Sequence, residues 1–405
     1  MKILSADALA EDLLAPLVEA GHEIVVDPTL DADTLPAKLG SDDFEVLVVR
    51  STKVTEAALD ANSSLGLVVR AGAGTDNIDK DAASARGIYV SNVPGQNAVA
   101  VAELAMALLL GIDRQIGAGH ADLQAGQWNK GKYAKADGIL GKQLAIIGLG
   151  EIGFALAERA RAFHMDVVAL RKPGRSETAL GRIRSAGIKL VDTMDELLTN
   201  ADVVSLHVPK SPETTGMVDD AFLAKMKDGA IVLNTARGDV VDEDSLIRAM
   251  DTKGIRAGLD VWPGEPSAKS AEWSSPLSQH PNVLGSHHIG ASTQQAQNAV
   301  ATGTVAVVEA YISGRVVNCV NLESEPLGEV VLTMRHLDKV GVLAKLFDTL
   351  RSAGVNVEQM ENNVFTGSIA SVATINLSAE PSQATIEEIT SDDDVLAVSL
   401  VRKSK

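Results

Sequence analysis

The chain predicts an α/β fold whose centre is a doubly wound parallel sheet, with a smaller α+β module at its C-terminal end. Three observations carry this. Short Val- and Ile-rich runs alternate with helical stretches over most of the chain, the pattern of parallel strands joined by helical crossovers. Gly148-Leu149-Gly150-Glu151-Ile152-Gly153 follows the apolar run Leu144–Ile147 and opens a segment with helical spacing at Ile152, Leu156, Ala160 and Phe163. Beyond residue 323 the order becomes strand, helix, strand, strand, helix, strand.

Composition bounds the rest. With 405 residues, 45% hydrophobic and 3% aromatic, the chain has core enough for roughly two to four Ala- and Val-rich domains. A net charge of -18 argues against nucleic acid and anionic membrane as partners, so an anionic ligand has to be met by local basic residues. No run approaches the ~18 to 20 apolar residues of a membrane span. Met1-Lys2-Ile3-Leu4 leads into polar sequence without a leader pattern. Cys319 is the only cysteine, which excludes disulfide frameworks and cysteine metal sites; no metal is expected, and the expected location is cytoplasmic.

Residues 1 to 96 read as a small parallel sheet flanked by helices, with strands at Ile3–Leu4, Glu23–Val26, Val46–Val49, Leu67–Val69 and Ile88–Val90 and a first helix over Ala8–Glu19. Two of these strands run into polar sequence, Arg50-Ser51-Thr52-Lys53 and Arg70-Ala71-Gly72-Ala73-Gly74. Ligands of open α/β sheets bind beyond the carboxyl ends of strands, which makes Arg50, Ser51, Lys53, Arg70 and the backbone of Gly72, Ala73 and Gly74 candidate substrate-binding groups. From Asn97 a helical pattern through Val101, Leu104, Leu108 and Ile112 is apolar on most sides, so burial between domains or subunits is expected. Gly117 to Gly141 reads as a connecting loop.

The glycine turn then begins a dinucleotide-type unit. Gly148 allows the turn, Gly150 lets backbone approach a pyrophosphate, Gly153 lets helix and strand pack closely, and Glu151 and Ile152 start a helix whose free N–H groups suit an anion. The second strand, Val167–Leu170, leads into Arg171 and Lys172, with Arg175 after a Pro-Gly turn. A carboxylate usually accepts from the adenosine ribose hydroxyls at that position. A guanidinium suits a 2′-phosphate instead, so the cofactor is NAD or NADP with Arg171 favouring NADP. Strands follow at Ile188–Val191, Val203–Leu206, Ile231–Leu233 and Ile255–Leu259, and Thr193 with Glu196 has the spacing of a capping box.

Three strand ends carry candidate chemistry. Asn234-Thr235-Ala236-Arg237-Gly238, Asp260-Val261-Trp262-Pro263-Gly264-Glu265-Pro266 and Ser286-His287-His288-Ile289-Gly290 each follow a strand. His288 can exchange a proton with a substrate hydroxyl near neutral pH. Glu265 can accept from the other ring nitrogen and raise the imidazole pKa, and Arg237 can hold a carboxylate through its forked donors. In the tail, after the polar linker 323–328, strands are expected at Glu329–Met334, Asn356–Met360, Ile369–Leu377 and Val395–Val401, with helices at Val342–Ala353 and Gln383–Ile389.

Taken in order, Gly-Leu-Gly-Glu-Ile-Gly, Asn-Thr-Ala-Arg-Gly, Asp-Val-Trp-Pro-Gly-Glu-Pro and His-Ile-Gly-Ala-Ser-Thr closely resemble the D-2-hydroxyacid dehydrogenase family. Val48-Val49-Arg50-Ser51-Thr52-Lys53-Val54 and Arg70-Ala71-Gly72-Ala73-Gly74-Thr75-Asp76-Asn77-Ile78-Asp79 look like its phosphoglycerate-oxidising branch. The tail, with His336-Leu337-Asp338-Lys339-Val340-Gly341-Val342-Leu343 and Gly354-Val355-Asn356-Val357, is similar to an ACT regulatory domain. The resemblance implies Arg237, Glu265 and His288 as catalytic residues, and His207, Val208, Pro209, Thr235, Ala236, Asp260 and Gly290 as cofactor-binding. It implies a Rossmann domain, 97–295, inserted in a smaller flavodoxin-like substrate domain, 1–96 and 296–322, followed by an ACT domain, 323–405. His336, Asp338 and Asn356 are the implied effector residues for an amino acid such as L-serine. The implied activity is oxidation of the C2 hydroxyl of D-3-phosphoglycerate at the start of serine synthesis, by a homotetramer or homodimer. Two alternatives are an NADPH-dependent reductase of glyoxylate or hydroxypyruvate and a dinucleotide-sensing binding protein like the C-terminal-binding co-repressors. The chain departs from the family at Arg171, at His287 where a Pro is common, at Asp338 where serine-sensitive relatives have Asn, and at Val340 where a Pro is common.

Overall fold

The computed structural model describes residues 1–8, 11–266, 270–323 and 325–403, without the side chains of residues 11–13. Contacts divide the chain after Asn321 into a large unit and a small one. The α/β and α+β classes read from the sequence are both present.

The large unit contains two parallel sheets. The first comprises β1 (Lys2–Ser5), β2 (Glu23–Val26), β3 (Val46–Val49), β4 (Leu67–Arg70) and β5 (Tyr89–Asn92) in the order β2-β1-β3-β4-β5. The second comprises β6 (Gln143–Ile147), β7 (Asp166–Leu170), β8 (Lys189–Val191), β9 (Val203–Leu206), β10 (Ile231–Asn234), β11 (Arg256–Leu259) and β12 (Val283–Gly285), in the order β12-β11-β10-β9-β6-β7-β8. Strands such as β3, β9 and β10 are buried along their whole length, which is why they appear as unbroken apolar runs rather than alternating ones.

The first helix spans Glu11–Glu19; Ala8 is not helical, and Leu9 and Ala10, also in the expected helix, lie outside the described residues. The apolar helix, Ala98–Asp113, expected between domains or subunits, is buried on one sheet of the large unit. It packs on the second sheet, where Ala102, Ala105, Leu108, Leu109 and Ile112 share a core with Leu144, Ile146 and Leu233. Apolarity on all sides of a helix reports burial without saying against what. The stretch expected as a loop holds two short helices, Ile116–Gln124 and Lys130–Tyr133, neither with a buried residue. With no core-facing stripe, it carries no helical signature in sequence. At the expected capping box, Thr193 accepts from the Glu196 N–H at 3.1 Å, but the Glu196 carboxylate reaches the N–H of Asp192 rather than that of Thr193. Helix Gln294–Ile312 returns to the first sheet, packing Val300, Val305, Val307 and Val308 against Ile3, Val46 and Val69.

The small unit is an antiparallel sheet of β13 (Val330–Leu337), β14 (Val357–Val364), β15 (Ala370–Leu377) and β16 (Val395–Arg402), in the order β14-β15-β13-β16, with helices Val342–Ser352 and Gln383–Thr390. Alternation is strict on β13 and β15: Leu332, Met334, Ala373, Ile375 and Leu377 face a core closed by Leu346 and Leu350. Ser324 of the expected linker lies outside the described residues. Among the described residues, no helix is long and apolar enough to cross a membrane.

Candidate active site

Each parallel sheet reverses its winding once, between β1 and β3 in the first and between β6 and β9 in the second. Such switch points leave a crevice at the carboxyl ends of the strands. Here both contribute to one cleft of about 1220 Å³.

At the first switch point Asp7 fixes the loop after β3. One carboxylate oxygen accepts from the N–H groups of Arg50, Ser51 and Thr52 at 2.7, 3.1 and 3.1 Å, and the other from the Ser51 hydroxyl at 2.7 Å. Burial pushes the Asp7 carboxyl up, but these donors outweigh it and leave it below the usual carboxylate range. Arg50 and Ser51 therefore reach the cleft. Lys53 does not, against expectation: Thr52 and Val54 point into the protein, so in this extended segment Lys53 between them points to solvent. Arg70, at the end of β4, lines the cleft with its Nε buried and unpartnered. Its pKa is pushed down to about 10, first by burial and then by the neighbouring charges of Arg237 and Arg50. Gly72 and Gly74 serve here by lacking side chains. A Cβ on Gly72 would lie 1.7 Å from Arg70 Nη1, and one on Gly74 2.0 Å from Arg237 Nη2.

At the second switch point the glycine turn meets the strand end after β9. Gly148 has φ +97°, and a Cβ there would lie 2.3 Å from the carbonyl oxygen of His207. A Cβ on Gly150 would meet nothing within 4 Å, so the space above it is open. His207 bonds Ser205 Oγ through Nε2 at 2.8 Å, while its Nδ1 is buried without a partner. Burial pushes its pKa down to about 4, so the ring is neutral at pH 7. Thr235 Oγ1 and Asn97 Oδ1 are likewise buried and unpartnered, and all three residues line the cleft with Val208, Pro209, Ala236 and Ile152. Orphaned polar atoms are rare in protein interiors. Together with the open space over Gly150, this donor and acceptor set fits a nicotinamide dinucleotide. Gly148, Gly150, Glu151 and Gly153 form the turn outside the cleft lining: Glu151 is held by Arg182 at 2.5 and 2.9 Å, and Gly153 abuts the Gly148 carbonyl. Arg171 and the exposed Lys172 also lie outside it. Arg171 pairs with Asp192 at 2.6 Å in an exposed ion pair, worth about 0–1 kcal/mol and easily exchanged.

Three loops after β10, β11 and β12 bring Arg237, Glu265 and His288 together. His288 Nδ1 and Glu265 Oε1 are 2.5 Å apart, and the other Glu265 oxygen accepts from the Trp262 N–H at 3.0 Å. The hydrogen bond from Glu265 raises the His288 pKa above its ordinary value, with burial opposing. Burial pushes the Glu265 carboxyl up, but the His288 and Trp262 bonds outweigh it and hold it below the usual range. His288 has φ +52°, a strained region for a side-chain-bearing residue. Asp260 maintains it. The Asp260 carbonyl accepts from the His288 N–H at 2.7 Å, and its fully buried carboxylate accepts from Ile289 N–H, Gly290 N–H and Ser286 Oγ at 2.8, 2.8 and 2.6 Å. Asp260, implied as cofactor-binding, lines the cleft and also anchors the histidine loop, and His287 is exposed beside it. Arg237 donates Nε to Asp76 Oδ2 at 2.9 Å and Nη1 to the Ala236 carbonyl at 2.7 Å, and its Nη2 lies 2.8 Å from the same Asp76 oxygen as an ion pair. Asp7, Asn97 and Asp76 were not legible as site residues. Asp76 lies in the run Arg70–Asp79, whose sequence gives no role to that carboxylate, and the other two carry no local signal.

The expected effector residues do not converge within the small unit. His336 is buried, bonded to the Leu337 carbonyl and to Asn362 at 2.8 and 3.1 Å. The Asp338 N–H bonds Ile369, just before β15, while the Asn356 N–H bonds Ser378, just after it. The length of β15 separates these two, ~25 Å at the rise of a strand. One copy of the module cannot bring both to a single amino acid.

Residues 106–290 match the family model described as D-isomer specific 2-hydroxyacid dehydrogenase, NAD binding domain. The chain is 39% identical over 347 residues to D-3-phosphoglycerate dehydrogenase of Methanocaldococcus jannaschii, covering 84% of this chain and 64% of that protein, so it spans under two thirds of that relative's length. It is 43% identical over 260 residues to hydroxypyruvate reductase of Thermotoga maritima, covering 64% of this chain and 81% of that one. The fold is similar to the crystal structure of a glyoxylate reductase from Paecilomyes thermophila, with TM-score 0.70, 29% identity, and coverage of 79% of this chain and 98% of that one.

Proposed function

The chain belongs to the D-isomer specific 2-hydroxyacid dehydrogenase family, and from this premise we propose that it oxidises the C2 hydroxyl of D-3-phosphoglycerate to 3-phosphohydroxypyruvate. The observation that carries the substrate is the meeting of Arg50, Arg70 and Arg237 in one cleft. In a chain of net charge -18, gathering mutually repelling, half-buried guanidiniums is costly, and an anion with charge at both ends offsets that cost. A phosphorylated three-carbon acid is such an anion. Arg237 takes its carboxylate, Arg50 and Arg70 its phosphate. His288 removes the hydroxyl proton, and Glu265 orients the ring and stabilises the imidazolium. Gly148, Gly150, His207, Thr235 and Asn97 hold the dinucleotide. Bound there, the nicotinamide supplies a two-electron acceptor for the hydrogen on C2. Arg171 favours NADP through its 2′-phosphate, and Asp192 beside it opposes that choice by its charge. The reading goes with a cytoplasmic setting, self-association and a tail that answers to an amino acid.

A second reading, a glyoxylate or hydroxypyruvate reductase using NADPH, draws on Arg171 and on the Thermotoga relative. Initial rates separate the two. D-3-phosphoglycerate and 3-phosphohydroxypyruvate should turn over well, and unphosphorylated hydroxypyruvate poorly. Turnover of glyoxylate and hydroxypyruvate alone would replace the first reading with the second. Running each pair with NAD(H) and NADP(H) tests Arg171, and a strong NAD preference would show that Asp192 wins.

A further inference from the structure

We propose that Asp76 is a positioning residue: reaching across the cleft from the lobe of the first sheet, it holds the Arg237 guanidinium ready for the substrate carboxylate. This rests on the role given to Arg237 above. A guanidinium has five N–H donors. Asp76 Oδ2 takes one of them, from Nε, with Nη2 in ion-pair contact beside it, and the Ala236 carbonyl takes one from Nη1. At least one N–H remains on each terminal nitrogen, the pair that forks onto a carboxylate.

Pinning is needed because the surroundings push Arg237 away. Arg70 lies close enough for their charges to repel. Gly74 presents no side chain against which Arg237 could lodge; the guanidinium fills the volume a Cβ would occupy. Asp76 is the carboxylate that counters this, and it sits on a loop built for the purpose. The next residue, Asn77, donates its side chain to the Thr52 carbonyl at 2.7 Å and its own carbonyl accepts from the Val54 N–H at 2.8 Å, tying the Asp76 loop to the Arg50 loop. The two arginine-bearing walls of the cleft are therefore set by adjacent residues.

The test compares Asp76→Asn with Asp76→Ala. The Nε hydrogen bond and the Nη2 contact go to one oxygen, so the Asn amide oxygen can take them over, whereas Ala removes them. Two quantities are measured: kcat and KM for 3-phosphoglycerate oxidation, and the Kd of oxalate in the presence of NADH or NADPH, followed by fluorescence of Trp262 and Trp273, which line the cleft. Asp76→Ala should raise KM and the oxalate Kd ~10- to 100-fold, as expected for losing charge-assisted hydrogen bonds. The same variant should change kcat far less, and Asp76→Asn should restore most of the binding. In Arg237→Ala, adding Asp76→Ala should cost nothing more. Unchanged binding in Asp76→Ala overturns the proposal. So does tighter oxalate binding, which would make Asp76 a competitor that substrate must displace. Equal damage in both variants with a lowered melting temperature also overturns it, in favour of a structural role. If no phosphorylated acid turns over, the proposed function falls, and the oxalate measurement still decides on Asp76.

Discussion

His288 depends on groups that surround it in space and are remote in sequence. Glu265 raises its pKa, and Asp260 holds its left-handed backbone. In the direction of oxidation the ring must be neutral to take the proton, so kcat/KM should rise with pH through a value above the ordinary ~6.5 of histidine. Glu265→Gln removes the carboxylate that favours the imidazolium; the acid limb of the profile should then move to lower pH while kcat falls. A limb that stays in place would show that Glu265 does not set this pKa. His288→Ala should lower kcat by ~10²–10⁴-fold, the usual worth of a general base. A smaller loss would point to another proton acceptor. That Arg237, Glu265 and His288 would share a cleft was legible because each follows a strand in a recognisable run. The partners that tune them, Asp260 as loop anchor and Asp76 as clamp, were not, because a carboxylate's role depends on which donors surround it.

The strand–turn–helix at β6 shows what an element can and cannot tolerate. Gly148 and Gly150 stand two residues apart in one motif, yet the structure separates their roles. Gly148→Ala meets both a positive φ and the His207 carbonyl, and should destabilise the protein by upwards of ~1–2 kcal/mol. Gly150 has an ordinary backbone and open space above it. Gly150→Ala should therefore melt like the parent while binding dinucleotide more weakly, since its methyl enters the space assigned to the pyrophosphate. Thermal unfolding with and without cofactor distinguishes them, and a Gly150→Ala protein that cofactor stabilises as fully as the parent would refute the assignment. At this scale the sequence read well wherever an apolar run was long or fully buried. It failed at residues 116–133, where two exposed helices carry no apolar stripe.

Every residue lining the cleft belongs to the unit Met1–Asn321. A chain ending at Asn321 should consequently keep its turnover and lose any response to an amino acid; loss of turnover would tie catalysis to the tail. Its mass by light scattering tests where the proposed self-association resides. The large unit exposes Ile116, Leu123, Trp128 and Leu140 between residues 116 and 140, apolar side chains that association would cover. Retention of a dimer by the shortened chain is the expected outcome, and a monomer would move the association to the tail.

The sequence by itself determined the periodicities, the glycine turn, the strand ends with their reactive residues, and the place where the fold changes character. These are local matters, decided by side-chain spacing and backbone freedom over a few residues. Tertiary structure decided the rest. It turned Lys53 out of the cleft, where the alternation of an extended segment buries Thr52 and Val54 instead. It seated the apolar helix on the second sheet, and it set Asp338 and Asn356 at opposite ends of a strand. It also brought Asp7, Asp76 and Asn97 to the active groups. Which charges face each other is fixed by strand order and by the two switch points, and those depend on contacts between residues far apart in the chain.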